Sequence, residues 1–319
     1  MKEYKEYKNY RNVRWKVVVI VICAVLVAAL AAAAVLWFYL TSDIKQVKLD
    51  KGDLGITEHV ETEPEYDSKI RNIVFFGIDS TDEQASYGDQ YRSDSIIIVS
   101  LGADNKTIKA TSILRDSKVP IEGHEPQKIN AAYKYGFAPL AIKTINQNFK
   151  MNIEDYVTVD FAAIEGIVDL LGGVDIEMTE EEASQVEGTH AGLNTLNGAQ
   201  TVLYSRIRKI DSDYYRASRQ QNVITAILTK LQQVPLASMP GTIKKLMNCV
   251  ETSLSYVDIL SILLSLDIRH LNIEYHTIPD PDYEADLWGG IDDDHGEWVW
   301  IYDLDKASER LHEIIYGAD

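Results

Sequence analysis

Cysteine is nearly absent: Cys23 and Cys249 are the two in 319 residues. Cys23 lies inside a long apolar run, so no disulfide can form within the rest of the chain, whose core must hold together by packing alone. About 250 residues are enough for that. Histidine is sparse too, seven residues scattered without the spacing of a zinc site. No Walker A loop and no G-x-S-x-G elbow occurs, which removes two common nucleotide and hydrolase signatures. There is no internal repeat and no low-complexity tract. Positive charge is also short, with 31 Lys and Arg against 49 Asp and Glu and a formal net charge of −18. That balance excludes a surface built to coat nucleic acid.

Hydrophobic runs of membrane length are equally scarce, with one exception. Residues 17–40, VVVIVICAVLVAALAAAAVLWFYL, carry no charge over 24 positions. As a helix this run spans about 36 Å, against a hydrocarbon core of roughly 30 Å. Trp37, Phe38 and Tyr39 close it where an aromatic belt belongs. The alanines offer small-residue cleavage sites, but the apolar run continues past them through Leu40, longer than a signal peptide's usual core of roughly 7–15 residues. An uncleaved anchor is expected. Residues 1–16 hold six Lys/Arg against Glu3 and Glu6, so the positive-inside rule keeps this tail cytoplasmic and places everything after Leu40 outside the cell. The part after Leu40 has 25 basic and 47 acidic residues.

Residues 41–69 are polar, acidic and aperiodic, and read as a linker. From there the pattern alternates. NIVFFGID (72–79) is a buried-strand run, and SIIIVSLG and TIKATSIL flank the turn ADNK (103–106) as a hairpin. FAPLAIKTINQNF has helical spacing, DYVTVD reads as a strand, and FAAIEGIVDLLGG as a helix ended by Gly172–Gly173. VDIEM is a further strand, 179–195 a long loop, then come a short helix from Gly198 and a strand near Ser205–Arg208. A long helix should run from about Asp213 to Gln233. Helices near 241–249, 257–266 and 303–316 and a strand near 271–278 complete the chain. Alternating strands and helices predict an α/β domain, residues 70–319, with helices on both faces of a sheet.

The hairpin carries a geometric consequence. With the turn centred on 103–106, partners sum to about 209, which sets Asp94 opposite Arg115. Arg92 and Asp116 lie beside them. Asp79 follows the carboxyl end of the 72–78 strand, the edge where open α/β sheets carry ligands. An ordinary cross-strand ion pair would look the same on these residues alone. Asp79 and Asp94 meet the modest demand of Mg²⁺, which takes one or two carboxylates with phosphate oxygens and water.

Cations also gather at YSRIRKIDSDYYRASRQ (204–220), where Arg206, Arg208, Lys209, Arg216 and Arg219 fall within fourteen positions. Two like charges ~6 Å apart repel by roughly 3 kcal/mol at an effective dielectric of 20. Interleaved carboxylates (Asp211, Asp213) or an anionic ligand must offset this. On the long helix Arg216, Arg219 and Gln220 share a face with Val223 and Ile227, as at the mouth of a pocket that is polar outside and apolar within. Arginine pairs, two acids and an apolar cavity near a membrane suit a lipid-linked phosphate or pyrophosphate. IDDDHGEW (291–298) matches no calcium loop and reads as a solvated acidic loop.

NIVFFGID, YRSDSIIIVSL, SILRDS, KINAAYKYG, DYVTVDFAAIEGIVDLLGGVDIEM, LNGAQTVLYSRIRK and DSDYYRASRQQ occur in the order seen in the LytR–CpsA–Psr (LCP) family. Over residues 70–230 the chain resembles that family. The resemblance implies an α/β/α sandwich with a mixed central sheet behind one transmembrane helix, in a Gram-positive type bacterium. It implies transfer of a glycopolymer from a polyprenyl-pyrophosphate carrier to peptidoglycan, with Mg²⁺ (or Mn²⁺) at the pyrophosphate. By motif, Asp79 and Asp94 are implied as metal acids. Arg92, Arg115, Lys128, Arg206, Arg208, Arg216 and Gln220 are implied at the phosphate site, and Arg219 and Asp213 fall in the same motif. Asp116 is the candidate general base. Thr81 stands where the family often has Arg, which removes one cation, and Leu114 where it often has Pro. Hydrolysis of the lipid pyrophosphate and a non-catalytic membrane-anchored regulator are the competing functions. The cytoplasmic tail, about 16 residues, leaves no room for a DNA-binding domain.

Overall fold

A computed structural model describes residues 42, 46–56, 69–78, 91–207, 213–235, 237–267, 270–280, 283, 287–292 and 296–317, the side chains of 213–217 excepted. The chain divides into two compact units, Met1–Ile44 and Lys45–Asp319. The expected membrane segment, 17–40, lies outside the described residues, among which no helix is long and apolar enough to cross a membrane.

The second unit is a mixed α/β domain. Apolar strands β1 (Arg71–Ile78), β2 (Ser93–Leu101), β3 (Thr107–Ile113) and β6 (Asp155–Val159) form the middle of a six-stranded sheet. Its order is β10-β3-β2-β1-β6-β9, with β9 (Glu251–Thr252) and β10 (Asn272–Ile278) at the edges. β1 pairs antiparallel with β2 and parallel with β6, while β3 runs antiparallel to β2 and parallel to β10. The predicted hairpin register is found: Ile97 faces Ser112 and Leu101 faces Ile108.

Alternation sorts the side chains into two layers. Val74, Phe76, Ile96 and Ile98 enter the main core with helices α1 (Ala131–Phe149) and α8 (Leu304–Tyr316). Ile73 and Phe75 face the other way, against Ile259 and Ile262 of α7 (Tyr256–Ser265). A further core joins α2 (Phe161–Leu170), the β7–β8 hairpin (Val174–Met178, Gly192–Leu196), α4 (Gly198–Ser205) and α5 (Asp213–Gln232). Two short hairpin elements, β4–β5 (Lys118–Ile121, His124–Lys128) and β11–β12 (Trp288–Ile291, Trp298–Ile301), flank the sheet. Helix α6 (Met239–Met247) packs beside α7.

Several local expectations change. α1 starts at Ala131, ahead of the predicted Phe137, and bends at Gly136–Phe137, where Phe137 takes φ 53°. Residues 179–195 contain α3 (Glu180–Ala183), closed by a Thr179–Glu182 capping box, and the start of β8. No strand forms at 205–207, because Ser205 still belongs to α4 and Arg206 caps it. The lead-in docks on the domain: Leu54 is buried in the main core and Gln46 bridges to Thr252.

Candidate functional site

The site forms where β1, β3 and β6 end and β2 begins. Gly77 pairs with Val159, and Ile78 pairs with Ser93, so these ends share one edge of the sheet. In parallel α/β architecture that edge collects ligands. The β1–β2 ladder slips there: Gly77 faces Ser95 but Ile78 faces Ser93. Asp94 is therefore the extra residue of a β-bulge, a device that re-aims a side chain beside a site. A Cβ on Gly77 would come 3.0 Å from the Cβ of Ser95, so glycine suits the close approach.

Arg115 and Asp116 follow β3 in a turn held from four sides. Leu114 N donates to Ile278 O (2.9 Å), Ser117 N to Leu114 O (3.0 Å), Asn130 N to Arg115 O (3.3 Å), and Trp300 N to Asp116 O (2.9 Å). With its backbone fixed, Arg115 places Nη1 2.9 Å from Asp94 and Nε 3.4 Å from Asp116. Burial alone would lower the Arg115 pKa, but Asp94 and Asp116 raise it above the ordinary guanidinium value. Lys128, closing β5, lies 2.9 Å from Asp116 and 3.2 Å from Glu297, and Arg92 lies 3.7 Å from the same Glu297. The result is three cations and three carboxylates on one open edge, a set of donors suited to phosphate oxygens.

Sequence reasoning missed Glu297 and its hairpin. The acidic segment 291–298 is not simply solvated. Asp292 is buried (5% exposed) and lies 2.7 Å from Lys118, while Glu297 reaches the cluster. The signal available was electrostatic: Lys118 and Lys128 face each other across β4–β5, a like-charge pair that needs carboxylates nearby.

The second group of predicted residues divides. Arg206 is exposed at the end of α4, with its guanidinium carbon 4.6 Å from the centre of the Phe161 ring. Phe161 opens α2 just past β6, on the same sheet edge as Asp94, three strand spacings or roughly 14 Å from the end of β3. Arg219 is 2% exposed; it donates to Ile207 O at 2.9 Å and faces Glu182 at 3.4 Å. Its cation is turned inward. Gln220 is half-buried on α5, next to that arginine. Asp79, Arg208 and the side chains of Asp213 and Arg216 lie outside the described residues. Among the described residues no three His, Cys, Asp or Glu form a metal cage. Asp94 is a hard oxygen donor at the open edge, and that donor chemistry fits Mg²⁺ shared with phosphate and water. Val223 is buried and Ile227 half-buried in the core below α5, as the helix spacing predicts.

A mixed α/β domain thus carries paired arginine, lysine and carboxylate groups at the carboxyl edge of its sheet, a donor set suited to anions. The chain belongs to the LytR_cpsA_psr family, whose model matches residues 36–313. It is 32% identical over 203 residues to TagT of Bacillus subtilis (strain 168), a polyisoprenyl-teichoic acid–peptidoglycan teichoic acid transferase; the match covers 61% of this chain and 62% of TagT, less than two thirds of that relative. TagU of Bacillus mycoides (strain KBAB4), of the same name, is 27% identical over 270 residues, 83% of each chain. The solved structure of TagT bound to LIIa-WTA superposes with a TM-score of 0.65 at 25% identity, covering 86% of this chain and 100% of that one.

Proposed function

We propose that the protein transfers a glycopolymer from a polyprenyl-pyrophosphate carrier to peptidoglycan, on the outer side of the membrane to which residues 17–40 anchor it. The observation that carries this reading is Arg115, fixed by a turn held from four sides and flanked by Asp94 and Asp116, with Lys128 and Arg92 alongside. In the reaction an acceptor hydroxyl oxygen bonds to the sugar-linked phosphorus. The bridging P–O bond breaks, and polyprenyl phosphate leaves with the electron pair. Arg115, Lys128 and Arg92 stabilise the charge that develops on the phosphoryl oxygens, a preorganised electrostatic effect. Arg206, with Arg208 and Arg216, extends the grip along the diphosphate. The hydroxyl proton passes to a carboxylate of the cluster, for which Asp116 is the candidate. Arg219 acts from below, as a positioning residue for α5. Asp94, with Asp79, would hold Mg²⁺ (or Mn²⁺), which when bound offsets diphosphate charge.

The test is transfer of labelled lipid-linked polymer to peptidoglycan by the full chain. Arg115→Lys keeps the charge and loses the bidentate fork, so turnover should fall about 10- to 150-fold, the equivalent of roughly 1.5–3 kcal/mol, with the melting temperature nearly unchanged. Chelation of divalent ions should lower transfer and magnesium restore it. Full activity in Arg115→Lys would remove the cluster from the chemistry. Release of free polymer without transfer would turn the reading to hydrolysis.

A further inference from the structure

One carboxylate of the cluster is held differently from the other two. Asp116 uses both oxygens, Oδ1 at 2.9 Å from Lys128 and Oδ2 at 3.4 Å from Arg115 Nε, and its backbone carbonyl accepts from Trp300 N. Asp94 meets Arg115 Nη1 at 2.9 Å from the bulge of β2. Both are short side chains on backbone fixed to the sheet, so neither carboxylate can travel far. Glu297 makes both of its contacts through one oxygen: Oε2 lies 3.2 Å from Lys128 Nζ and 3.7 Å from Arg92 Nη1. Its side chain is 44% exposed, against 31% for Asp94 and 21% for Asp116. Of the three it is the one placed to leave.

Glu297 stands on a fixed backbone. Asp292 N donates to Glu297 O and Gly296 N to Asp292 O, both at 2.7 Å, and the buried Asp292 carboxylate lies 2.7 Å from Lys118. The long glutamate stem rises from that anchor, so rotation of the side chain alone withdraws the carboxylate. Little holds it back, because long, exposed ion pairs are weak and screened by salt. In place, its oxygen sits between a guanidinium and an ammonium brought from different segments, as a phosphoryl oxygen would. The two anions cannot share that position. We propose that Glu297 is an internal competitor for the phosphate site: its carboxylate holds the anion position between Arg92 and Lys128, and a diphosphate enters by displacing it. It is thus a specificity-determining residue, which sets how strongly an anion must bind to gain entry. The inference rests on the assignment of these cations to phosphate under the transferase reading, and adds what the ligand has to expel.

The experiment is calorimetric titration of the full-length protein in detergent with inorganic pyrophosphate, with and without magnesium. Glu297→Gln keeps the shape and removes the competing charge, so pyrophosphate should bind roughly 3- to 10-fold more tightly than to the wild type, as when the competent fraction of a site rises from about 10–30% to nearly all. Asp104→Asn makes the same change in net charge at the β2–β3 turn, the far end of the sheet, and should leave the affinity where it was. If Glu297→Gln fails to fold, Glu297→Ala carries the comparison. Equal affinity in wild type and Glu297→Gln overturns the competitor. Weaker binding in Glu297→Gln overturns it too, and makes Glu297 a support that holds Arg92 and Lys128 in position. Tightening of the same size in Asp104→Asn also overturns it, since net charge would then be the cause. Pyrophosphate binding by neither the wild type nor Glu297→Gln would strike at the phosphate reading of the cluster itself and take the competitor with it. Equal binding by both leaves that reading standing and removes Glu297 alone.

Discussion

Arg115 and Arg219 are the same residue type on one domain, and the structure uses them in opposite ways. Arg115 stands at the open sheet edge, its side chain 24% exposed, between Asp94 and Asp116. Arg219 is buried, and it ties α5 to Glu182 of α3 and to the carbonyl of Ile207 beyond α4. At the edge, water and ligand can still reach the guanidinium, and its partners are exchangeable. In the interior the partners are part of the frame, and removing one leaves a buried charge uncompensated. Cation count alone therefore says little about ligand binding; exposure and the nature of the partner decide.

The sharpest way to break this comparison is Arg219→Met, which keeps volume and strands Glu182. It should cost about 3–5 kcal/mol and lower the melting temperature by roughly 6–20 °C. Thermal denaturation checks it, and an unaltered melting point would move Arg219 into the class of Arg115. Next is Asp292→Asn, which weakens the buried Lys118 pair and loosens the hairpin that carries Glu297. A loss of about 1.5–3 kcal/mol is expected by urea titration, with a shift in tryptophan emission from Trp298 and Trp300. The smallest stability effect belongs to Arg206→Lys. Its contact with Phe161 is exposed and worth about 0.5–1 kcal/mol, so stability should barely move. Transfer should nevertheless fall if Arg206 grips phosphate, and unchanged transfer would leave the work to the sheet edge alone.

Much of the sheet edge was legible from residue order. A four-residue turn with alternating strands on either side fixes partner sums, and this is enough to set Asp94 against Arg115 from residue order alone. Helix ends at Gly172–Gly173 were equally plain, both glycines having positive φ (79° and 95°). What stayed hidden depended on contacts distant in sequence. Glu297 meets Lys128 across 169 positions, and no local pattern marks that meeting. The 179–195 stretch concealed α3 and the start of β8 because both are short and polar, without the apolar period that announces longer elements. The inward turn of Arg219 was half legible. Helix spacing placed it above Val223, but its partner Glu182 comes from a helix of four residues that no periodicity shows.

The bulge at Asp94 has a consequence for insertions and deletions. Side-chain identity at 93–95 matters to the site, but so does the number of residues there, because one extra position separates the register of β1 from the aim of the carboxylate. Deleting a single residue between Arg92 and Ile96 would make the ladder regular and improve the sheet by local criteria. The same deletion would swing the acid away from Arg115 or move Arg92 out of reach of Glu297. Chain length at this point is thus itself a functional property, and a comparison of related chains should weigh a gap here more heavily than most substitutions.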